Sequence, residues 1–168
     1  ASTTAALALG DALAVALLDA RGFTPDDFAR SHPGGSLGRR LLTHVKDIMR
    51  TGSAVPTVPP GTDLTDAILA MSRGGLGLVA ITDEAGQALG IFTDGDLRRA
   101  FEKRVDLQHA RIDDVMHPAP QTIHPDKLAV EAVEMMERLR INALLVAGDD
   151  ARLVGALNMH DLFTAKVI

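Results

Sequence analysis

Three hydrophobic patterns run along the chain. From Ala5 to Leu18 nearly every position is apolar, interrupted by Gly10 and Asp11. This predicts a helix reaching about Ala20, with Ser2, Thr3 and Thr4 as candidate N-caps and Gly22 placed to end it. A helix apolar on nearly all sides has to be buried in a larger body or an oligomer, and residues Phe23 to Thr43 offer no sheet to cover it. The second pattern is the helical period of Leu64 to Arg73 and of Leu128 to Arg138. The third is a set of short apolar runs that read as strands: Leu78 to Ile81, Leu89 to Phe92, Ala143 to Val146 and Leu153 to Leu157. Asp83-Glu84-Ala85-Gly86 and Gly148-Asp149-Asp150 supply the turns between them.

These elements form one unit written twice. Asp47-Ile48-Met49 recurs as Asp114-Val115-Met116, an offset of 67, and Thr57-Val58 as Thr122-Ile123, an offset of 65. From there the register of 65 holds through Met71 and Met136, Gly90 and Gly155, and Asp96 and Asp161. Each copy reads as a short strand, an amphipathic helix, a β-hairpin and a closing helix, a β-α-β-β-α unit in an α+β fold. Closing helices are expected from Asp94 to about Lys103 and from about His160. A unit of roughly 55 residues buries too little surface to stand alone, so the copies are expected to pack face to face about a pseudo-twofold axis, with clefts at the junction.

Composition narrows the chemistry. With 17 basic and 22 acidic residues, a net charge of −5 and no basic stripe, nucleic acid and anionic membrane surfaces are not expected partners. The absence of cysteine removes disulfides, thiol catalysis and Cys-based zinc sites. We expect no metal, no cofactor and a cytoplasmic location. Ala5 to Leu18 is too short to span a bilayer and lacks the basic start of a signal peptide. The chain begins at Ala1, in what reads as the first turn of a helix, which points to a fragment.

Thr93 with Asp96, and Asn158 with Asp161, stand three residues apart at a strand-to-helix junction. One role for them is a capping box. A compatible role is to present a carboxylate to the hydroxyls of a ribose in the cleft, beside Asp94, Met159 and His160. A phosphate would need cations, for which Arg73, Arg98, Arg138, Arg140 and His160 are candidates, each also readable as a solvated surface charge. Arg140 and Asn142 stand where the first copy has Gly75 and Gly77, so the two clefts are expected to be unequal, with one dominant site.

The doubled signatures Gly90-Ile91-Phe92-Thr93-Asp94-Gly95-Asp96 and Gly155-Ala156-Leu157-Asn158-Met159-His160-Asp161 resemble a tandem pair of CBS domains. That resemblance implies a module binding adenosyl or other nucleotides and regulating a neighbouring domain. It adds Thr57, Gly75, Leu76, Gly77, Ile141 and Asn142 as pocket residues. A glycine-rich turn at a helix C-cap is the other reading of Gly74-Gly75 with Gly77.

In Ser31-His32-Pro33-Gly34-Gly35, Pro33 holds His32 out of helix and the glycines turn the chain, so the imidazole is presented from a loop. Such a His is able to move protons near neutral pH, or is a loop residue without chemistry. Together with Ala8 to Leu18, Ala20-Arg21-Gly22-Phe23 and Asp27-Phe28, this segment is similar to the end of the sugar isomerase (SIS) domain of arabinose 5-phosphate isomerases, in which a CBS pair follows. The resemblance implies interconversion of D-ribulose 5-phosphate and D-arabinose 5-phosphate for Kdo and lipopolysaccharide synthesis, with His32 catalytic in the full-length protein only. The remaining machinery lies upstream, so this chain alone is expected to be inactive, and Arg39 and Arg40 are read as surface charges, with a phosphate contact as the alternative. The expected division is 1–44 as the SIS tail, 45–107 as the first CBS domain and 108–168 as the second. Expected effectors are CMP-Kdo, AMP or ATP, and the expected self-association is a dimer of CBS pairs, tetrameric in the full-length protein. A purely structural, oligomerising module is the alternative.

Overall fold

A computed structural model describes residues 2–24, 27 and 42–168. Two compact units result, residues 1–42 and 43–168. In the first, α1 spans Ser2–Ala20, so Thr3 and Thr4, expected as caps, lie inside the helix. Gly22 ends it at φ +62°, where its N–H reaches Asp19 O and that of Phe23 reaches Leu18 O. Leu7, Leu9, Leu13 and Val15 are exposed along this helix. The length expectation needs correcting: Thr3–Ala20, 18 residues at mean hydropathy 1.5, is long and apolar enough to cross a membrane. His32, Arg39 and Arg40 lie outside the described residues.

In the second unit the elements are α2 (Val45–Ile48), β1 (Thr57–Val58), α3 (Leu64–Gly74), β2 (Leu78–Thr82), β3 (Ala88–Thr93), α4 (Asp94–Glu102), β4 (His117–Pro118), β5 (Thr122–Ile123), α5 (Ala129–Leu139), β6 (Ala143–Ala147), β7 (Leu153–Asn158) and α6 (Met159–Thr164). One sheet has the order β1-β2-β3-β4 and the other β5-β6-β7. The first pairing of each sheet is parallel and the hairpin antiparallel, with an irregularity at Ile81/Thr82 and again at Val146/Ala147. The central strands are apolar at successive positions because both faces are covered. Val79 and Ile81 pack with the first copy's helices, whereas Leu78 and Ala80 meet Leu145 and Ala156 of the other copy.

The segments that lead into each copy were legible only as a repeated tripeptide, and they do something that periodicity does not reveal. Each packs on the other copy. Val45, fully buried, belongs to the second copy's core, and Ile112, also fully buried, to the first's. Burying such a side chain is worth about 1.5–3 kcal/mol. Val45 N donates to Lys127 O and Ala129 N to Thr43 O; in the mirror arrangement, Ile112 N donates to Thr62 O and Leu64 N to Ala110 O. The repeated aspartates cap these segments, Asp47 accepting from His44 N at 2.8 Å and Asp114 from Arg111 N at 2.9 Å. The exposed pairs Lys46–Asp126 and Arg111–Asp63 are screened by solvent and add little.

The exchanged segments then run along the hairpins. Arg50 and Ala156 exchange backbone hydrogen bonds of 2.8 and 3.0 Å, and β4 pairs with β3 at Gly90 and Ile91. This accounts for the repeated glycines. A Cβ on Gly155 would stand 2.8 Å from Arg50 O and 2.7 Å from Met49 Sδ; one on Gly90 would strike Met116 Sδ and lie 3.1 Å from His117 O. The obstacle at Gly90 is the movable end of a side chain, that at Gly155 a backbone oxygen held in a ladder. Gly155→Ala should therefore lower the unfolding free energy by about 1–3 kcal/mol in urea denaturation, and Gly90→Ala by less.

Candidate functional site

Both copies place the same polar device where the hairpin's second strand turns into a helix. Thr93 N donates to Asp96 Oδ2 at 2.9 Å, the Thr93 hydroxyl to the same oxygen at 2.6 Å, and Asp96 N to Thr93 Oγ1 at 3.3 Å. Asn158 and Asp161 repeat the box at 3.1 and 3.0 Å. The capping reading therefore stands, and it consumes one carboxylate oxygen in each copy. Asp94 N reaches Gly77 O and Met159 N reaches Asn142 O, so each helix also begins against its own hairpin's first strand.

The second oxygen of each carboxylate meets a basic side chain delivered by an exchanged segment, His117 at Asp96 and Arg50 at Asp161. Asp96 Oδ1 accepts from Arg99 at 2.5 Å and lies 2.8 Å from His117 Nε2. Burial pushes the Asp96 carboxyl up, but the bonds from Thr93 and Arg99, with His117 adding its charge, outweigh it and hold the group below the usual carboxylate range. Asp96 is the one buried charged residue among those described.

Around Asp96 opens a cleft of about 840 Å³ between the copies. The first copy lines it with Leu76, Gly77, Thr93, Asp94 and Asp96, and the second with Ile141, Asn142, Met159 and His160, all singled out from the sequence. Of the phosphate candidates, Arg98 and Arg140 join His160 there, whereas Arg73 and Arg138 are not in the lining. Thr57, Gly75 and Asp161 do not line this cleft. Thr57 is an exposed residue of β1, Gly75 is the left-handed C-cap of α3, and Asp161 faces Arg50. Sequence reasoning missed Arg99 and the stretch His117 to Gln121. Arg99 had a signal, standing three residues after Asp96 on one helix face. His117 had none, because only the exchange of leading segments brings it to the first copy's cap.

Arg140 carries a mark of its own. It caps α5 at φ 55°, ψ 44°, the conformation that Gly75 takes at the matching place in the first copy. A non-glycine residue there costs about 1 kcal/mol, and the strain puts a guanidinium on the cleft wall.

The family model of the CBS domain matches residues 45–103 and 112–167. This chain belongs to the CBS-domain family. Over 167 residues it is 54% identical to the arabinose 5-phosphate isomerase KdsD of Pseudomonas aeruginosa and to that of Yersinia pestis, and 52% to that of Escherichia coli K12. The match covers 99% of this chain but 51% of each relative, so the chain spans about half the length of these curated relatives. Among solved structures, the CBS domain pair of protein MJ0100, in complex with 5′-methylthioadenosine and S-adenosyl-L-methionine, superposes with a TM-score of 0.65 at 24% identity, covering 73% of this chain and 94% of that one. CBSX2 in complex with AMP gives 0.63 at 20%, covering 73% and 95%. These two likenesses establish the fold, a tandem CBS pair of α+β type.

The strained cap offers a test of the cleft. Arg140→Gly should raise the melting temperature by a few degrees, since about 1 kcal/mol of backbone strain is released, while weakening the binding of phosphate-bearing ligands. Calorimetry and ligand titration on the same preparation read both effects.

Proposed function

We propose that this chain is the nucleotide-sensing CBS pair of an arabinose 5-phosphate isomerase, preceded in residues 1–44 by the end of its SIS domain. The observation that carries the sensor reading is the cleft at Asp96. It sets a buried carboxylate beside Arg98, Arg99 and Arg140, with residues of both copies on its walls. A carboxylate accepts from sugar hydroxyls, and guanidinium groups bind phosphate bidentately, so the pattern suits a ribonucleotide or sugar nucleotide. The names of the relatives support the isomerase assignment, and the nucleotides named with the CBS neighbours support the effector class. In the full-length protein, His32 would act at the sugar, interconverting D-ribulose 5-phosphate and D-arabinose 5-phosphate in the cytoplasm on the route to Kdo and lipopolysaccharide. A regulatory pair on an early step of that route would read a late product, which makes CMP-Kdo the first effector to test, with AMP and ATP as alternatives.

Calorimetric titration of the purified chain with CMP-Kdo, CMP, AMP and ATP tests this reading. Saturable heat with at least one is expected, and Asp96→Asn should weaken it by tenfold or more, about 1.4 kcal/mol. No heat with any of the four overturns the sensor.

A second reading, an assembly device, rests on a different observation. Phe101 and Phe163 stand 75% and 67% exposed at the ends of α4 and α6. On this reading the pair self-associates, serving the tetramer of the full-length protein, and Phe101→Ser with Phe163→Ser yields a monomer by sedimentation velocity. An unchanged distribution rules these rings out as the contact.

A further inference from the structure

The buried carboxylate of the cleft is fully engaged. An ionised carboxylate offers about four acceptor positions, and Asp96 meets four partners. Its Oδ2 accepts from Thr93 N and from the Thr93 hydroxyl, and its Oδ1 faces Arg99 Nη2 and His117 Nε2. The Asp96 side chain is 4% exposed, whereas Arg99 and His117 are 52% and 63% exposed on the cleft wall. A ligand hydroxyl reaching Asp96 has to displace one of these bonds. As it stands, Asp96 meets the cleft through the two basic side chains that it holds.

The open carboxylate lies two residues earlier. Asp94 lines the same cleft, is exposed, and its side chain forms no hydrogen bond or ion pair with any described residue. It sits against Gly77, whose carbonyl also accepts from the Asp94 N–H: a Cβ on Gly77 would stand 2.8 Å from Asp94 Oδ2. A side chain at 77 would therefore push this carboxylate aside. At the register of 65 the second copy carries Met159 in place of Asp94 and Asn142 in place of Gly77. The acid and the gap that seats it occur together in the first copy and are both missing from the second. An acidic residue in a first helical turn also suits the helix dipole, but that role needs neither the cleft nor Gly77.

We propose that Asp94, rather than Asp96, accepts from the vicinal hydroxyls of the ligand's ribose, and that Asp96 is a positioning residue holding Arg99 and His117 for its phosphate. The proposal rests on the nucleotide reading of the cleft and assigns the two halves of that ligand to different residues.

The test is equilibrium titration of the whole chain with AMP and CMP, with their 2′,3′-dideoxy analogues, and with adenosine and cytidine. Wild type is expected to prefer a ribonucleotide to its dideoxy analogue by about tenfold, the worth of one hydrogen bond to a charged group. Asp94→Ala should abolish that preference and keep the preference for nucleotide over nucleoside. Asp96→Asn should do the reverse: the hydroxyl preference stays, and the preference for nucleotide over nucleoside falls several-fold, Arg98 and Arg140 remaining. Asp96 also caps α4, so the double variant Arg99→Gln, His117→Gln repeats the second arm with the cap intact if melting curves show Asp96→Asn unfolded.

A folded Asp94→Ala chain that keeps the full hydroxyl preference would overturn the proposal and leave Asp94 a helix-start charge. So would loss of the hydroxyl preference, or an untouched phosphate preference, in the Asp96 or Arg99 and His117 variants. A wild type that binds AMP or CMP no better than the dideoxy analogue overturns the proposal while the nucleotide reading stands. If none of the probes binds, the nucleotide reading fails and the proposal falls with it.

Discussion

The exchange of leading segments is the contact on which the rest of the second unit depends. Val45 completes the core of the second copy and Ile112 that of the first, so neither copy has a finished interior without chain from its twin. Met49 lies over Gly155 and Met116 over Gly90, and only a residue without a side chain leaves room for the crossing. Mutual completion makes a pair of small units cooperative: opening one lobe removes a fully buried side chain from the other, at a cost of about 1.5–3 kcal/mol before any hydrogen bond is counted.

The exchange also decides the chemistry of the junction. Because each crossing segment ends at a cap carboxylate of the opposite copy, whatever residue follows the repeated methionine becomes that carboxylate's partner. One copy delivers an exposed imidazole and the other a half-buried guanidinium held by three hydrogen bonds. A symmetric frame is thereby given two unlike carboxylate surroundings. Arg140 adds to the difference at a cost in backbone strain that Gly75 avoids in the same conformation.

The Asp96 cleft draws Arg98 and Arg99 from one copy and Arg140, Asn142 and His160 from the other. Anything held there touches both lobes and favours whichever lobe spacing suits it best, which is how a binding module conveys occupancy to an attached domain. On the proposed function, that domain ends with the chain around α1, whose exposed leucines it would cover.

Much of this was legible without a structure. Hydrophobic period and repeat placed β1, α3, β2, β3 and their second-copy partners within a residue or two, because burial on one helical stripe or on both faces of a strand is written directly into apolar spacing. The spacing of Thr93 with Asp96 and of Asn158 with Asp161 announced the caps, a local interaction over three residues. What only the tertiary structure decided is non-local. Thr57, Gly75 and Asp161 were expected among the pocket residues and do not line the Asp96 cleft, and His117 carried no signal until the crossing brought residue 117 to 96 and residue 50 to 161. Local free energies determine which residues become helix, strand and cap; which basic side chain meets which carboxylate follows from the path between them, and no periodicity along the chain records it.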